Sequence, residues 1–180
     1  HLEAVMRATP LSCMLYNNPI AYGTDVTVDQ LQLLAAHGNL HAVKESSGDI
    51  RRITAIREHL GDRFQVFVGM DDVIVEGIAA GAVGWIAGLV NALPDESVRL
   101  FELAAAGRMK ELEPLYHWFL PLLRLDTVPK FVQLIKLVQE AVGMGSARVR
   151  PPRLELVGPE RNAALSLIQE HLAARPAASA

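Results

Sequence analysis

The sequence predicts an α/β fold: a parallel sheet with crossover helices, followed by a region that is helical throughout. Three observations carry this reading. The first 93 residues hold four short apolar runs, none with the polar alternation of a half-solvated strand. Each run leads through a short loop into a helical period, the pattern of strand–helix units with parallel pairing. From Pro94 onward the strand signals stop and apolar residues recur at helical spacing.

In chain order, Leu2–Arg7 reads as the tail of a helix. The chain opens at His1 with no basic-then-apolar leader, so further sequence upstream is expected. Leu11–Tyr16 is the first strand, closed by the turn chemistry of Asn17-Asn18-Pro19. After a polar loop, Thr27 is placed to cap a helix with Val28, Leu31, Leu34 and Ala35 on one face, stopped by Gly38-Asn39. Leu40–Lys44 is the second strand, and Asp49 is the expected cap of a helix reaching Leu60. Phe64–Val68 is the third, with Asp72 the expected cap of a short helix over Val73–Ala80, and Gly84–Ala87 is the fourth. The apolar stretch Ile74–Leu93 carries Glu76 and is broken by glycines, so it does not read as a membrane helix.

The remainder reads as helices over Asp95–Ala106 and Met109–Leu125, the second expected to kink or break at Pro121. A third opens at Pro129 with Phe131, Leu134, Ile135, Val138 and Val142 in a stripe. Gly143–Pro152 is a loop, and Gly158-Pro159-Glu160 starts a last helix to about Leu172. The expected division is a sheet-bearing part over 1–93, a helical region over 94–172 and a flexible tail over 173–180.

Composition narrows the function classes. Of 180 residues 51% are apolar and 21% charged, the balance of a globular protein with a sizeable core. A formal charge of −3 offers no pull toward nucleic acid or an anionic membrane. The six histidines lack ligand-like spacing, so no metal is expected. Cys13 has no partner for an internal disulfide; it suits a reducing, cytoplasmic compartment and reads as a buried, inert thiol.

The residues that carry chemistry close the strands, because parallel α/β sheets place their sites at the carboxyl ends of strands. Lys44, followed by Glu45-Ser46-Ser47-Gly48-Asp49, closes the second. Its neutral amine is the form that attacks a carbonyl. The plainer reading is a solvated lysine paired with Glu45. Tyr16 closes the first strand and is placed for proton relay; taken alone it fits an aromatic with a satisfied hydroxyl equally well. Gly69, before Met70-Asp71-Asp72, allows a backbone close to the site, and Gly84-Trp85-Ile86-Ala87-Gly88 ends a strand with small residues that leave room for a ligand.

Tyr16-Asn17-Asn18-Pro19, Lys44-Glu45-Ser46-Ser47-Gly48-Asp49 28 positions on, then Gly69-Met70-Asp71-Asp72 and Gly84-Trp85-Ile86 together resemble the dihydrodipicolinate synthase and N-acetylneuraminate lyase family. The resemblance runs through the C-terminal helices. It implies a TIM (β/α)8 barrel, of which this chain holds the C-terminal half, strands five to eight, followed by the helical region. It implies Lys44 as the Schiff-base nucleophile, Tyr16 as the proton relay and Ile86 as pocket backbone, with Gly69 and Gly84 beside the substrate. It further implies a small carboxylate substrate, no cofactor, and a homo-oligomer, dimer or tetramer, at full length.

Two departures limit what the resemblance carries over. The family's Gly-Thr-Thr-Gly-Glu loop, which holds the substrate carboxylate, does not occur in these residues, so little activity is expected of this chain by itself. Dihydrodipicolinate synthases also carry an arginine two positions after the motif proline, where this chain has Ala21. A methyl group cannot grip a carboxylate in bidentate fashion. The segments Leu123–Pro129, Phe131–Lys136 and Gly84–Asn91 look most like 1-pyrroline-4-hydroxy-2-carboxylate deaminases of bacterial hydroxyproline breakdown. The alternatives are a 2-oxo-acid aldolase of the same family and an inactive fragment.

Overall fold

A computed structural model describes residues 1–176. They form two compact units, one over His1–Ile86 and one beginning at Ala87. The first contains, in order, α1 (Leu2–Arg7), β1 (Cys13–Asn17), α2 (Pro19–Tyr22), α3 (Val28–Leu34), β2 (Leu40–Glu45), α4 (Arg51–Leu60), β3 (Gln65–Val68), α5 (Ile74–Ala79) and β4 (Gly84–Trp85). The sheet order is β1-β2-β3-β4, with every neighbouring pair parallel. That is the strand–helix alternation the apolar runs predict.

Strand side chains alternate between the two faces. Leu15, Val43, Val66 and Val68 are buried on one, and Gly77 of α5 packs so closely there that a Cβ on it would lie 2.3 Å from a Val68 methyl. Met14 and Tyr16 belong to the opposite face and are 43% and 41% exposed. The sheet is therefore covered on its helix side and open on the other.

Local chemistry explains most boundaries. Thr27 caps α3 in a reciprocal box: its hydroxyl accepts from Gln30 N, and the Gln30 side chain accepts from Thr27 N. Asp49, the expected cap of α4, lies one residue before the N-cap, which is Ile50 and makes no side-chain cap bond; Asp49 Oδ1 accepts from Arg51 N at 3.1 Å. Further expectations need correction. The first strand begins at Cys13, not Leu11; Leu11 is exposed, and the ladder starts where Cys13 N donates to Asn39 O. Cys13 is accordingly half-buried rather than buried. The polar loop after β1 contains a short helix, α2, because the Asn18 side chain accepts from Ala21 N and Pro19 fits the first helical position. Asp72 does not cap α5: a 3₁₀ turn over Asp71–Val73 intervenes, and α5 starts without a side-chain cap. Its neighbour Asp71 is wholly buried and accepts from Trp85 Nε1 at 3.2 Å, so that carboxylate serves β4. β4 itself is only two residues long, although Ile86 N still donates to Val68 O.

The second unit contains α6 (Pro94–Ala105), α7 (Met109–Leu123), α8 (Phe131–Ala141) and α9 (Gly158–Ala173). Leu100, Phe119, Leu122, Leu123, Val138 and Ile168 are fully buried in it. The expected break at Pro121 does not occur, since α7 runs through to Leu123 before a 3₁₀ turn over Arg124–Thr127. An interior proline costs a helix about 3 kcal/mol. Burying Phe119, Leu122 and Leu123 around it returns roughly 1.5–3 kcal/mol each, so packing wins. The stripe predicted for α8 is narrower than expected. Ile135, Leu137 and Val138 are buried, whereas Phe131 is exposed and Val142 lies beyond the helix. Trp118 Nε1 donates to His171 O at 2.7 Å and ties α7 to α9. The tail expected over 173–180 begins on the last residue of α9; residues 177–180 lie outside the described residues. Among the described residues, no helix is long and apolar enough to cross a membrane.

Candidate active site

The carboxyl ends of β1–β4 bring the motif residues of the first unit together. Tyr16 and Lys44 are direct partners in the β1–β2 register, and Lys44 is in turn the partner of Phe67. Equal register puts the three side chains on one face, the open one. The Lys44 ammonium lies over the Tyr16 ring, 4.2 Å from its centroid. That contact is worth about 0.5–1 kcal/mol where water still reaches it. Lys44 forms no ion pair among the described residues, so the pairing with Glu45 does not occur. Glu45 points to the opposite face and is buried.

Tyr16 is held from two sides. Its hydroxyl accepts from Asn18 Nδ2 at 2.8 Å, and its ring meets Tyr22 edge-on at 5.7 Å between centroids. Both partners come from the turn and short helix that Asn18 and Pro19 create, so the sequence that ends β1 also orients its last open-face side chain. Ala21, in the same short helix, is exposed.

Gly69 is required by close packing. A Cβ there would lie 1.8 Å from Ser46 Oγ and 2.8 Å from Lys44 Cε, so no side chain fits. The glycine thus sets the room available to the lysine stem and to Ser46, a residue that sequence reasoning did not single out. Ser46 Oγ is buried and has no hydrogen-bond partner among the described residues. At Gly84 the open space belongs to the protein itself, because a Cβ would come within 2.5 Å of the Phe67 ring. Ile86, one residue past β4, is 37% exposed and uses its N–H in the ladder.

Sequence reasoning also missed a polar network on the covered face. Asn17 and Glu45 are 3% and 5% exposed, and Asn17 Nδ2 donates to Glu45 Oε2 and to Asp25 Oδ1, each at 3.0 Å. Arg52 of α4 donates to Asp25 Oδ2 at 2.7 Å. The Arg52 guanidinium, and secondly the Asn17 amide, hold the Asp25 carboxyl below its ordinary range. The signal was available: Asn17 and Glu45 each follow a candidate residue by one position, and period two sends them to the opposite face.

The dihydrodipicolinate synthetase family model matches residues 1–171 of this chain. The chain belongs to that family. A 4-hydroxy-tetrahydrodipicolinate synthase of Geotalea uraniireducens is 30% identical over 175 residues, 95% of this chain and 59% of the relative. A protein of Emericella nidulans named "Probable 4-hydroxy-2-oxoglutarate aldolase, mitochondrial" is 34% identical over 114 residues, 63% of this chain and 37% of its own length. Among solved structures, a dihydrodipicolinate synthase from Bacillus anthracis superposes with a TM-score of 0.86 at 28% identity, covering 94% of this chain and 58% of that one. The enzyme from Aquifex aeolicus, at 24% identity, matches in fold with a TM-score of 0.87, covering 96% of this chain and 59% of that one. The chain thus spans under two thirds of the length of each of these relatives, 58–59% of three of them and 37% of the fourth. The family comprises lyases and aldolases, and its structures share the parallel α/β fold seen here.

Proposed function

We propose that these residues are strands five to eight and the helical region of a Schiff-base-forming lyase or deaminase. Its substrate is a small 2-oxo-acid-like carboxylate, and Lys44 is its nucleophile. One observation carries the reading: at adjacent strand ends the amine of Lys44 and the phenol ring of Tyr16 stand together on the open face, with Gly69 clearing the space beside the lysine stem. A primary amine so placed adds to an electrophilic carbon next to a carboxylate. Loss of the oxygen or nitrogen originally on that carbon leaves a protonated imine. The imine withdraws electrons from the adjacent carbon, so a proton leaves there and a hydroxyl or amine departs from the next position. Tyr16 carries the proton between substrate and solvent. Gly69, Gly84 and the backbone of Ile86 border the substrate on this reading.

Within this chemistry the preferred substrate is 1-pyrroline-4-hydroxy-2-carboxylate, converted with one water into 2,5-dioxopentanoate and ammonia. The likeness of Gly84–Asn91 and Leu123–Lys136 to such deaminases supports it. Ala21 stands against dihydrodipicolinate synthesis, since its methyl offers no bidentate grip on a second substrate's carboxylate. A second reading, a 2-oxo-acid aldolase, is favoured by the similarity to the Emericella nidulans protein. On either reading the full-length protein is a homo-oligomer in the cytoplasm.

The test is trapping. The chain is incubated with pyruvate, with 4-hydroxy-2-oxoglutarate and with the hydroxy-pyrroline carboxylate, reduced with borohydride and mapped by mass spectrometry. The same is done with a chain extended to full barrel length. An adduct on Lys44 in the longer chain is expected, with the pyrroline as preferred ligand. Adducts elsewhere, or undiminished turnover by Lys44→Ala in the longer chain, would overturn the reading.

A further inference from the structure

We infer that the buried Asn17–Glu45 pair, anchored through Asp25 to Arg52, is a positioning element that fixes the β1–β2 register and thereby the placement of Tyr16 against Lys44. The inference rests on the reading of Lys44 as nucleophile only for its functional meaning; the geometry stands by itself. Asn17↔Glu45 is the register pair that directly follows Tyr16↔Lys44. The two pairs therefore project from opposite faces of the same two strand ends, one into the open site and one into the covered side.

The bonding of the covered pair is complete and directional. Asn17 Oδ1 accepts from Val26 N at 3.0 Å, which fixes the amide orientation. Both hydrogens of Asn17 Nδ2 are then spent on carboxylates, Asp25 and Glu45. Glu45 Oε1 accepts from Ser47 N at 2.6 Å, and Ser46 N donates to Asn17 O at 2.8 Å. Arg52 closes the set from α4, donating to Val26 O at 3.1 Å as well as to Asp25. The loop after β1, the loop after β2 and the start of α4 thus converge on one amide.

A buried polar pair is a poor source of net stability, since an apolar pair of similar volume does as well or better. What it supplies is selectivity. A slip of one residue would turn Glu45 into the open face, and a slip of two would bury its carboxylate without the Asn17 amide. Only the observed register satisfies every group, and that register also stacks Lys44 over Tyr16. Asn17 and Glu45 face away from the site, so they act through their chain neighbours. Reacting groups need placement to within a fraction of an ångström, so a small shift at these strand ends matters.

The test uses the chain as it is. The Lys44 ε-methylene protons lie near the Tyr16 ring and should show an upfield ring-current shift by NMR, assigned by its loss in Tyr16→Leu. Glu45→Gln is isosteric but puts an NH₂ against either the Asn17 amide or Ser47 N–H, donor to donor in both rotamers. Asn17→Leu removes the hub. We expect both variants to retain the amide spectrum of Val43 and Val66 and to lose most of the Lys44 ring-current shift. A merely structural role would lower the denaturation midpoint and leave that shift intact in the folded molecules. Should Asn17→Leu fail to fold, Glu45→Gln decides alone. An unchanged shift overturns the inference, whereas a missing borohydride adduct on Lys44 in a full-length barrel overturns only the assignment of the nucleophile.

Discussion

The Lys44 ammonium sits 4.2 Å from the centre of the Tyr16 ring, and the two residues are opposed partners in neighbouring parallel strands. Ring and hydroxyl have separable tasks in this arrangement. Tyr16→Phe keeps the ring against the ammonium and removes only the oxygen that Asn18 reaches. In a full-length barrel it should leave Lys44 able to form the borohydride-trapped adduct while turnover falls about a hundred- to ten-thousand-fold, the usual yield of a positioned proton carrier. Comparing adduct yield with steady-state rate checks this; an equal fall in both would sink the proton-relay role.

Gly69→Ala tests the packing beside the lysine. Its new methyl would overlap Ser46 Oγ and press on Lys44 Cε. Overpacking of this kind costs about 1–3 kcal/mol. The expected outcome is a lower urea midpoint together with loss of the Lys44 adduct in a full-length barrel.

Ser46→Ala removes a buried hydroxyl that has no partner among the described residues. An unsatisfied buried polar group is itself a cost, so its deletion should be neutral or stabilising by up to about 1 kcal/mol. In combination with Gly69→Ala it should recover part of the lost stability. A single Ser46→Ala variant markedly less stable than the parent would mean that the hydroxyl is satisfied in solution.

Acid sensitivity should trace to Asp25. Its carboxyl is held below the ordinary value, first by Arg52 and then by Asn17. A depressed folded-state value means that this stabilisation is fully present above the unfolded-state value of about 3.9 and is lost as pH falls through the folded one. The charges that share this neighbourhood are Glu45 and Asp49, both of which act on Arg52. Arg52→Met should flatten the fall of the denaturation midpoint as pH drops below about 3.9, the unfolded-state value. Circular dichroism at several pH values gives the answer, and an unaltered slope would refute it.

Arg63 offers a test of fold rather than site. Its guanidinium donates to the carbonyls of Ala35, His37 and Leu40, which follow α3, and stacks on Phe64. A lysine has no planar fork with which to reach three carbonyls. Arg63→Lys should therefore lose about 1 kcal/mol, the cost of leaving part-buried acceptors without donors, measurable as a fall in the urea midpoint.

Much of this protein was written locally. The apolar runs around Val43 and Val66 were readable as strands of a parallel sheet, and both residues are buried on its helix side. Thr27 with Gln30, and Asn18 with Pro19, are caps and turns whose chemistry spans three residues, so sequence determines them directly, even where Asn18 built a helix instead of the loop expected. Lys44 and Tyr16 were found because strand ends are where such folds gather their chemistry. The tertiary structure alone decided the rest. Pro121 stays in α7 because the burial of Phe119, Leu122 and Leu123 outweighs one lost hydrogen bond, a balance no local window contains. Asp71 turns to Trp85, and Asn17 joins Asp25, Glu45 and Arg52, across separations that only folding closes. Local sequence sets what each segment prefers; which polar groups meet depends on distances between segments, and those are set by packing.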